Sequence, residues 1–277
     1  MNLDLQLIQN EKVFVFVIAN EFRLPLYNLL QNLKVQGYSY QVLQFQEEWK
    51  GWKTKWEGYI KGAKELKEKE EKTNEKYVCV CLDAYDTVAI RPAHEFIKEY
   101  ELVNKDKKFM CGLENLCNPK NCGNIEEYWN ENGTPNNLEK RYLNAGICIG
   151  STEQIIETYE WILNKSNVLD DQVALAKYVS RFSERVFMDV HSNIIQNKKF
   201  NEELTFEEKD GKGCFFLHFP GPSSYSYEHI KALKYFGGKF VINMPDYHYL
   251  AKKTWRGIKE NWYFVLLVCL ILYYLFL

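Results

Sequence analysis

The sequence predicts an α/β protein, a mostly parallel sheet flanked by helices, with a transmembrane helix near its C-terminus. Three stretches carry that prediction. Residues 12–45 read as strand, helix, strand, the β-α-β opening of a parallel sheet. The run YVCVCL at 77–82 is apolar throughout instead of alternating, as a strand buried on both faces must be. The stretch NWYFVLLVCLILYYLFL at 261–277 holds no charged residue.

KVFVFVIA, residues 12–19, supplies the β-branched and aromatic side chains of a first strand. Leucines at 24, 26, 29, 30 and 33 then recur at helical spacing, predicting a helix through RLPLYNLLQNLKVQG. YSYQVLQF at 38–45 is the second strand, and EEWKGW at 47–52 begins a polar loop. YIKGAKELKEKEEKTNEK predicts a charged helix up to Lys76, with acid–base pairs four residues apart on a solvated face. After the strand YVCVCLDAYD come a helix, PAHEFIKEYELV, and a strand, KKFMCGLE. A loop rich in Cys, Asn and Gly fills 115–140. YLNAGICIGS at 142–151 is a short strand, followed by the helices TEQIIETYEWILNK and DDQVALAKYVSRF. VFMDVHSNIIQN reads as a strand pair or hairpin, and GCFFLHFPGPSSYSYEHI as a strand ending at His218 before a Pro-Gly-Pro loop. No repeat or linker interrupts residues 1–250, so they form one domain, with a basic juxtamembrane segment at 251–260 and an anchor at 261–277.

The 277 residues carry a formal charge of −2, which offers no general attraction to nucleic acid. Cys79 and Cys81 alternate with valines as small buried hydrophobes. Cys111, Cys117 and Cys122 are placed in one loop, where a disulfide is open but the spacing is not that of a zinc site. The N-terminus lacks the basic start and small-residue cleavage site of a signal peptide. At ~1.5 Å per residue the final run spans about 25 Å as a helix, enough for a slightly thin bilayer. Lys252, Lys253, Arg256 and Lys259 precede it, placing the soluble domain in the cytosol and the anchor against membrane lipid.

No GxGxxG follows the first strand, and neither GxxxxGK[ST] nor GxSxG occurs, which disfavours dinucleotide, P-loop and α/β-hydrolase chemistry. In open α/β sheets ligands sit beyond the carboxyl ends of strands, where Asp83 and Asp86 lie. Carboxylates three apart on a tight turn converge on one hard cation, and Mg²⁺ or Mn²⁺ bridging to phosphates needs only one or two of them. Tyr85 between them offers a flat face to a base. The plainer reading is that both acids shape a turn.

LDAYD, YLNAG, DDQ, DVHSNIIQN and LHFPGPSS, in this order, together with EEWKGW, resemble the glycosyltransferase domain of the procollagen lysyl hydroxylase/glycosyltransferase family, whose relatives include the procollagen galactosyltransferases. The likeness spans residues 12–250. It implies a GT-A fold, a UDP-sugar donor and a Mn²⁺ (or Mg²⁺) cofactor held by Asp83, Asp86 and His218. It implies stacking of Tyr85 on uracil, approach of the Gly221 backbone to the diphosphate, and Trp49 and Lys61 near the nucleotide end. Asn144 would face the sugar or acceptor. Asp170 and Asp171 would stand near the reacting sugar, one of them as an N-cap, and Gln172 would bind sugar hydroxyls. The expected reaction is transfer of galactose or glucose to a hydroxyl acceptor, hydroxylysine-like or glycan. The chain departs from the family at Asn118, where a tryptophan is usual, and at Phe219-Pro220, where Gly-Asn is usual. These departures leave open a catalytically inactive UDP-sugar-binding or structural membrane protein.

Overall fold

The run of β-branched and aromatic residues in β1 (Glu11–Ile18) leaves Val15, Phe16 and Val17 with no solvent exposure, so the strand is covered on both faces. It is the second strand of a six-stranded sheet in the computed structural model, which describes residues 11–115, 124–134, 140–166, 170–199, 202–221 and 227–237. The chain divides into two compact units, Met1–Ile242 and Asn243–Leu277, and the described residues all belong to the first.

β1 pairs in parallel with β2 (Ser39–Leu43) on one side and β3 (Lys76–Asp83) on the other. β5 (Phe109–Glu114) pairs in parallel with β7 (Val186–Met188). Between the two halves runs β6 (Tyr142–Ser151), antiparallel to both β3 and β5. The order is β2-β1-β3-β6-β5-β7, parallel as expected apart from β6. A second sheet of three short strands joins β4 (Thr87–Ala89), β9 (Phe216–His218) and β8 (Ile195–Asn197).

Alternate residues of the strands feed two cores. Val15, Val17, Val80 and Leu82 pack with Leu26, Leu29 and Leu33 of α1 (Leu24–Val35) and Phe96 of α3 (Ala93–Val103). Phe16, Cys79 and Cys81 face the other way, onto α2 (Trp52–Thr73), α5 (Thr152–Lys165) and α6 (Asp171–Arg181). The short helices α4 (Glu126–Asn132) and α7 (Phe206–Lys209) flank these layers, and α8 (Tyr227–Gly237) covers the small sheet through Ala232, Leu233 and Phe236.

The charged helix expected from Tyr59 begins at Trp52, so the EEWKGW stretch ends inside it. Its high average polarity hides a stripe of Trp56, Tyr59, Ala63 and Leu66 at helical spacing, all buried. Only the outer face is solvated, where Lys64 pairs with Glu160 at 2.6 Å and Lys67 with Glu153 at 3.4 Å. The 186–197 stretch is not a hairpin: β7 joins the large sheet and β8 the small one. The turn between them is held by Asp189, whose carboxylate accepts the backbone N–H groups of Asn193, Ile194 and Ile195.

Cys111 sits on β5 rather than in a loop, fully buried and in register with Cys148, which is in turn in register with Cys81. These thiols are free, and burial raises the pKa of Cys111 and Cys81 well above the ordinary thiol value. Cys117 and Cys122 lie outside the described residues, as do the segments 251–260 and 261–277. Among the described residues no helix is long and apolar enough to cross a membrane.

Candidate functional site

β3 and β5 run the same way, and both end in a carboxylate, Asp83 and Glu114, at one edge of the large sheet. β6 runs against them, so its first residues, Asn144 to Gly146, arrive at that same edge. The register of β5 against β6 shifts between Cys111 and Gly112, a bulge that re-aims the backbone beside the site. The expected strand-end crevice therefore exists, built from three strands.

The LDAYD segment forms a turn and a cluster at once. Thr87 Oγ1 donates to the Asp83 carbonyl at 2.7 Å, closing the turn. Thr87 is in register with His218 on β9, and Phe219 N donates to the Asp86 carbonyl at 2.8 Å. That ladder places His218 beside Asp86 although the two are far apart in sequence. One ligand atom from each of Asp83, Asp86 and His218 lies within 4.8 Å of the other two.

His218 is oriented from behind. Its Nδ1 lies 2.7 Å from Asn197 Oδ1, and Asn197 Nδ2 donates to the Leu113 carbonyl at 3.0 Å. With the amide nitrogen committed to a carbonyl, Asn197 Oδ1 must accept, so Nδ1 carries the proton and Nε2 faces the carboxylates. Gly146 makes room for the ring: a Cβ there would fall well inside contact distance of the imidazole. Burial works against charging His218, but Asp86, with Asp83 and Glu114 beyond it, outweighs this and raises its pKa.

Asp86 Oδ1 lies 3.5 Å from His218 Nε2, too long for a good hydrogen bond, and this buried oxygen has no hydrogen-bond partner among the described residues. Burial opposes its ionisation, yet His218 prevails and its pKa is lowered. For Asp83 burial wins: despite Lys55, and with Asp86 and Asp171 adding repulsion, its pKa rises to about 6. An orphaned buried carboxylate oxygen beside a second carboxylate and an oriented imidazole fits a divalent cation with mixed oxygen and nitrogen ligands.

Lys55, like Glu114, is a site residue that sequence reasoning missed. It is 1% exposed, and its Nζ reaches Asp83 Oδ1 and Asp171 Oδ2, each at 2.7 Å, and the Ala145 carbonyl at 3.2 Å. Burial lowers its pKa less than these two carboxylates raise it. The signal was available: Lys55 shares the apolar face of α2 with Tyr59 and Leu66, and a charge there demands a buried partner. Lys61, expected near the nucleotide, is exposed and lines no cavity of the site, because six residues along a helix rotate it by about 240° from Lys55.

The adjacent acids separate cleanly. Asp170 is the N-cap of α6, its carboxylate accepting from Val173 N at 3.0 Å. Asp171 is 9% exposed and turns into the site. Asn144 Oδ1 accepts from Gly146 N at 2.8 Å, and its amide approaches Gln172 Oε1 at 3.4 Å; Gln172 Nε2 donates to Glu114 Oε1 at 2.7 Å. Burial raises the pKa of Glu114 against the hydrogen bonds from Gln172 and Asn144. Asp171, Asn144, Gln172 and Glu114 line a cavity of about 270 Å³ that includes Gly221, whose φ of 57° suits glycine.

A second cavity of about 390 Å³ opens beside it, between the end of β1 and the start of α2. Tyr85 lines it, its hydroxyl donating to the Glu21 carbonyl at 2.9 Å and its ring under the Arg23 guanidinium at 4.9 Å. Trp49, 39% exposed, lines the same cavity and meets Trp52 edge-on at 5.8 Å. Cavities of this order are the usual size for small-molecule sites.

Residues 9–215 match the PLOD GT domain family. A glycosyltransferase involved in glycosylation of the major capsid of PBCV-1 shares 11% identity over 81% of this chain and 98% of its own, with a TM-score of 0.45. A197 from STIV shares 15% identity over 64% of this chain and 81% of its own, with a TM-score of 0.36. No curated protein sequence matches the chain.

Proposed function

This chain belongs to the PLOD GT domain family of glycosyltransferases, and we propose that it transfers a hexose, galactose or glucose, from a UDP-sugar to a hydroxyl acceptor, hydroxylysine-like or glycan. The observation that carries the reading is the convergence of Asp83, Asp86 and His218 at the strand edge, with a buried Asp86 oxygen left unpartnered among the described residues. These three side chains would hold Mn²⁺ or Mg²⁺. When bound, such a cation neutralises the charge that grows on a departing diphosphate.

The chain's own residues divide the remaining work. Tyr85 and Trp49 supply flat faces in the cavity that would take the nucleoside. Asn144 and Gln172 present amides to sugar hydroxyls. Asp171, held by Lys55 at 2.7 Å, lines the inner cavity and is placed to stabilise positive charge at the anomeric carbon. Glu114, whose pKa burial raises, is the better match for taking a proton from the acceptor hydroxyl. Asp170 keeps its helix-capping role. The uncharged run 261–277, preceded by basic residues, supports a membrane anchor with the catalytic domain on the cytosolic side.

The test is thermal stability of the full chain with UDP plus Mn²⁺, followed by transfer assays with UDP-hexoses. A ligand at about 100 times its Kd adds roughly 2.7 kcal/mol. The wild type is expected to show this shift, and Asp83→Ala and Asp86→Ala to lose both the shift and transfer. Equal shifts in all three proteins would refute the metal assignment. Binding without transfer or hydrolysis would favour a non-catalytic UDP-sugar-binding protein.

A further inference from the structure

The two cavities of the site share three residues: Asp83, Asp86 and Trp52. Two of the three are the carboxylates where a diphosphate would cross from one cavity to the other. The third is an indole. Among the described residues, no other Phe, Tyr or Trp lines the inner cavity, whose remaining walls are carboxylates, amides, lysines, an imidazole and small residues.

Trp52 is fixed in place by the chain around it. It is the first residue of α2, entered through Gly51 at φ 82°, a left-handed conformation that turns the chain sharply into the helix. Trp49 braces its ring edge-on, and Lys55 Nζ lies 5.4 Å from the ring centroid. It nevertheless keeps 37% of its surface exposed. A half-exposed aromatic ring held over a polar cavity meets what a pyranose presents, an apolar C–H face with hydroxyls around the rim. The Asn144 and Gln172 amides that line the same cavity would meet those hydroxyls.

Resting on the UDP-hexose reading above, we propose that Trp52 is the platform on which the transferred sugar lies, a specificity residue for the hexose rather than for the nucleotide. Its place between the cavities assigns it the first ring beyond the diphosphate. Tyr85 and Trp49, confined to the outer cavity, are left to the base.

The experiment is calorimetric titration of the full chain, with Mn²⁺ present, using UDP, UDP-glucose and UDP-galactose against wild type, Trp52→Phe and Trp52→Ala. The ring is at the exposed first turn of a helix, and thermal melts check that both variants fold. Trp52→Ala is expected to bind UDP within about twofold of wild type but its preferred UDP-hexose about tenfold more weakly, which is 1.4 kcal/mol. Trp52→Phe, which keeps an aromatic face, should stay within about threefold for both. An equal loss for UDP and UDP-hexose in Trp52→Ala would move the ring to the nucleoside, and no loss for either would make it a bystander; both results overturn the proposal while leaving hexose transfer standing. Failure of wild type to bind any of the three ligands would overturn hexose transfer itself, and the platform with it.

Discussion

Replacing Lys55 with methionine keeps the apolar stem inside α2 and deletes only the ammonium. Two carboxylates at 2.7 Å, Asp83 and Asp171, then lose their shared counter-ion, and the Ala145 carbonyl loses a donor. Breaking a buried pair by removing one partner costs about 3–5 kcal/mol, because the charge left behind has no compensation. For a domain of this size each kcal/mol moves Tm by about 2–4 °C, so a fall of roughly 6–20 °C is expected. The loss should depend on pH. In the metal-free protein Asp83 already has a pKa of about 6, above the ordinary 3.8, so the folded state binds its proton more tightly than the unfolded chain does. That preference favours folding fully below the ordinary value and is lost as pH rises through about 6. Without Lys55 the pKa rises further, and the variant keeps losing stability at pH values where wild type has levelled off. Denaturant unfolding in EDTA at pH 5 and pH 7.5 measures both effects: a small deficit at the lower pH and the full one at the higher. A deficit under about 1 kcal/mol at both, the size of an exposed ion pair, would refute the view that Lys55 anchors the site.

Two other substitutions probe the supports of the cluster. Gly146→Ala drives a methyl into the His218 ring, which Asn197 holds from behind, so it should cost about 1–3 kcal/mol and remove the Mn²⁺-dependent thermal shift. Asp170→Ala should cost about 1 kcal/mol through loss of the α6 cap while preserving most of the transfer rate, whereas Asp171→Asn should abolish transfer.

What the sequence disclosed, and what it withheld, follows from how each feature is encoded. β1, β3 and α1 are legible because their apolar residues recur with the period of the element they form. Asp83 and Asp86 are legible because a strand that is apolar to its end makes the first carboxylate conspicuous. Glu114 ends KKFMCGLE in the same way and was equally visible. Lys55 was obscured by the lysines and glutamates around it, since composition averages over both faces of a helix and only the register of Trp56, Tyr59 and Leu66 shows which face it shares. The antiparallel course of β6 had no local signal, because its residues are as apolar as those of a parallel strand and its direction is set by the strands on either side. The split of 186–197 between two sheets was hidden for the same reason: strand partners are tertiary facts.

The small sheet explains why Asp83, Asp86 and His218 converge without depending on a loose loop. Asp83 belongs to the large sheet, His218 to the small one, and Asp86 to the turn between them. The small sheet is pinned on both flanks by buried asparagines, to helix α1 on one side and to the large sheet on the other. Asn32 of α1 accepts from the Ala89 N–H and donates to its carbonyl, each at 2.8 Å, and so holds β4. Asn197 donates to the Leu113 carbonyl on β5 and so holds β8, while its oxygen sets the ring of His218. A buried amide that satisfies a backbone group fixes position because any shift would leave both partners unpaired, at about 1–3 kcal/mol per group. The separation of Asp83, Asp86 and His218 is therefore a property of how the small sheet is pinned to its surroundings. Glycosyl transfer needs that rigidity, since the groups facing the donor must already be in place when charge develops on the leaving group.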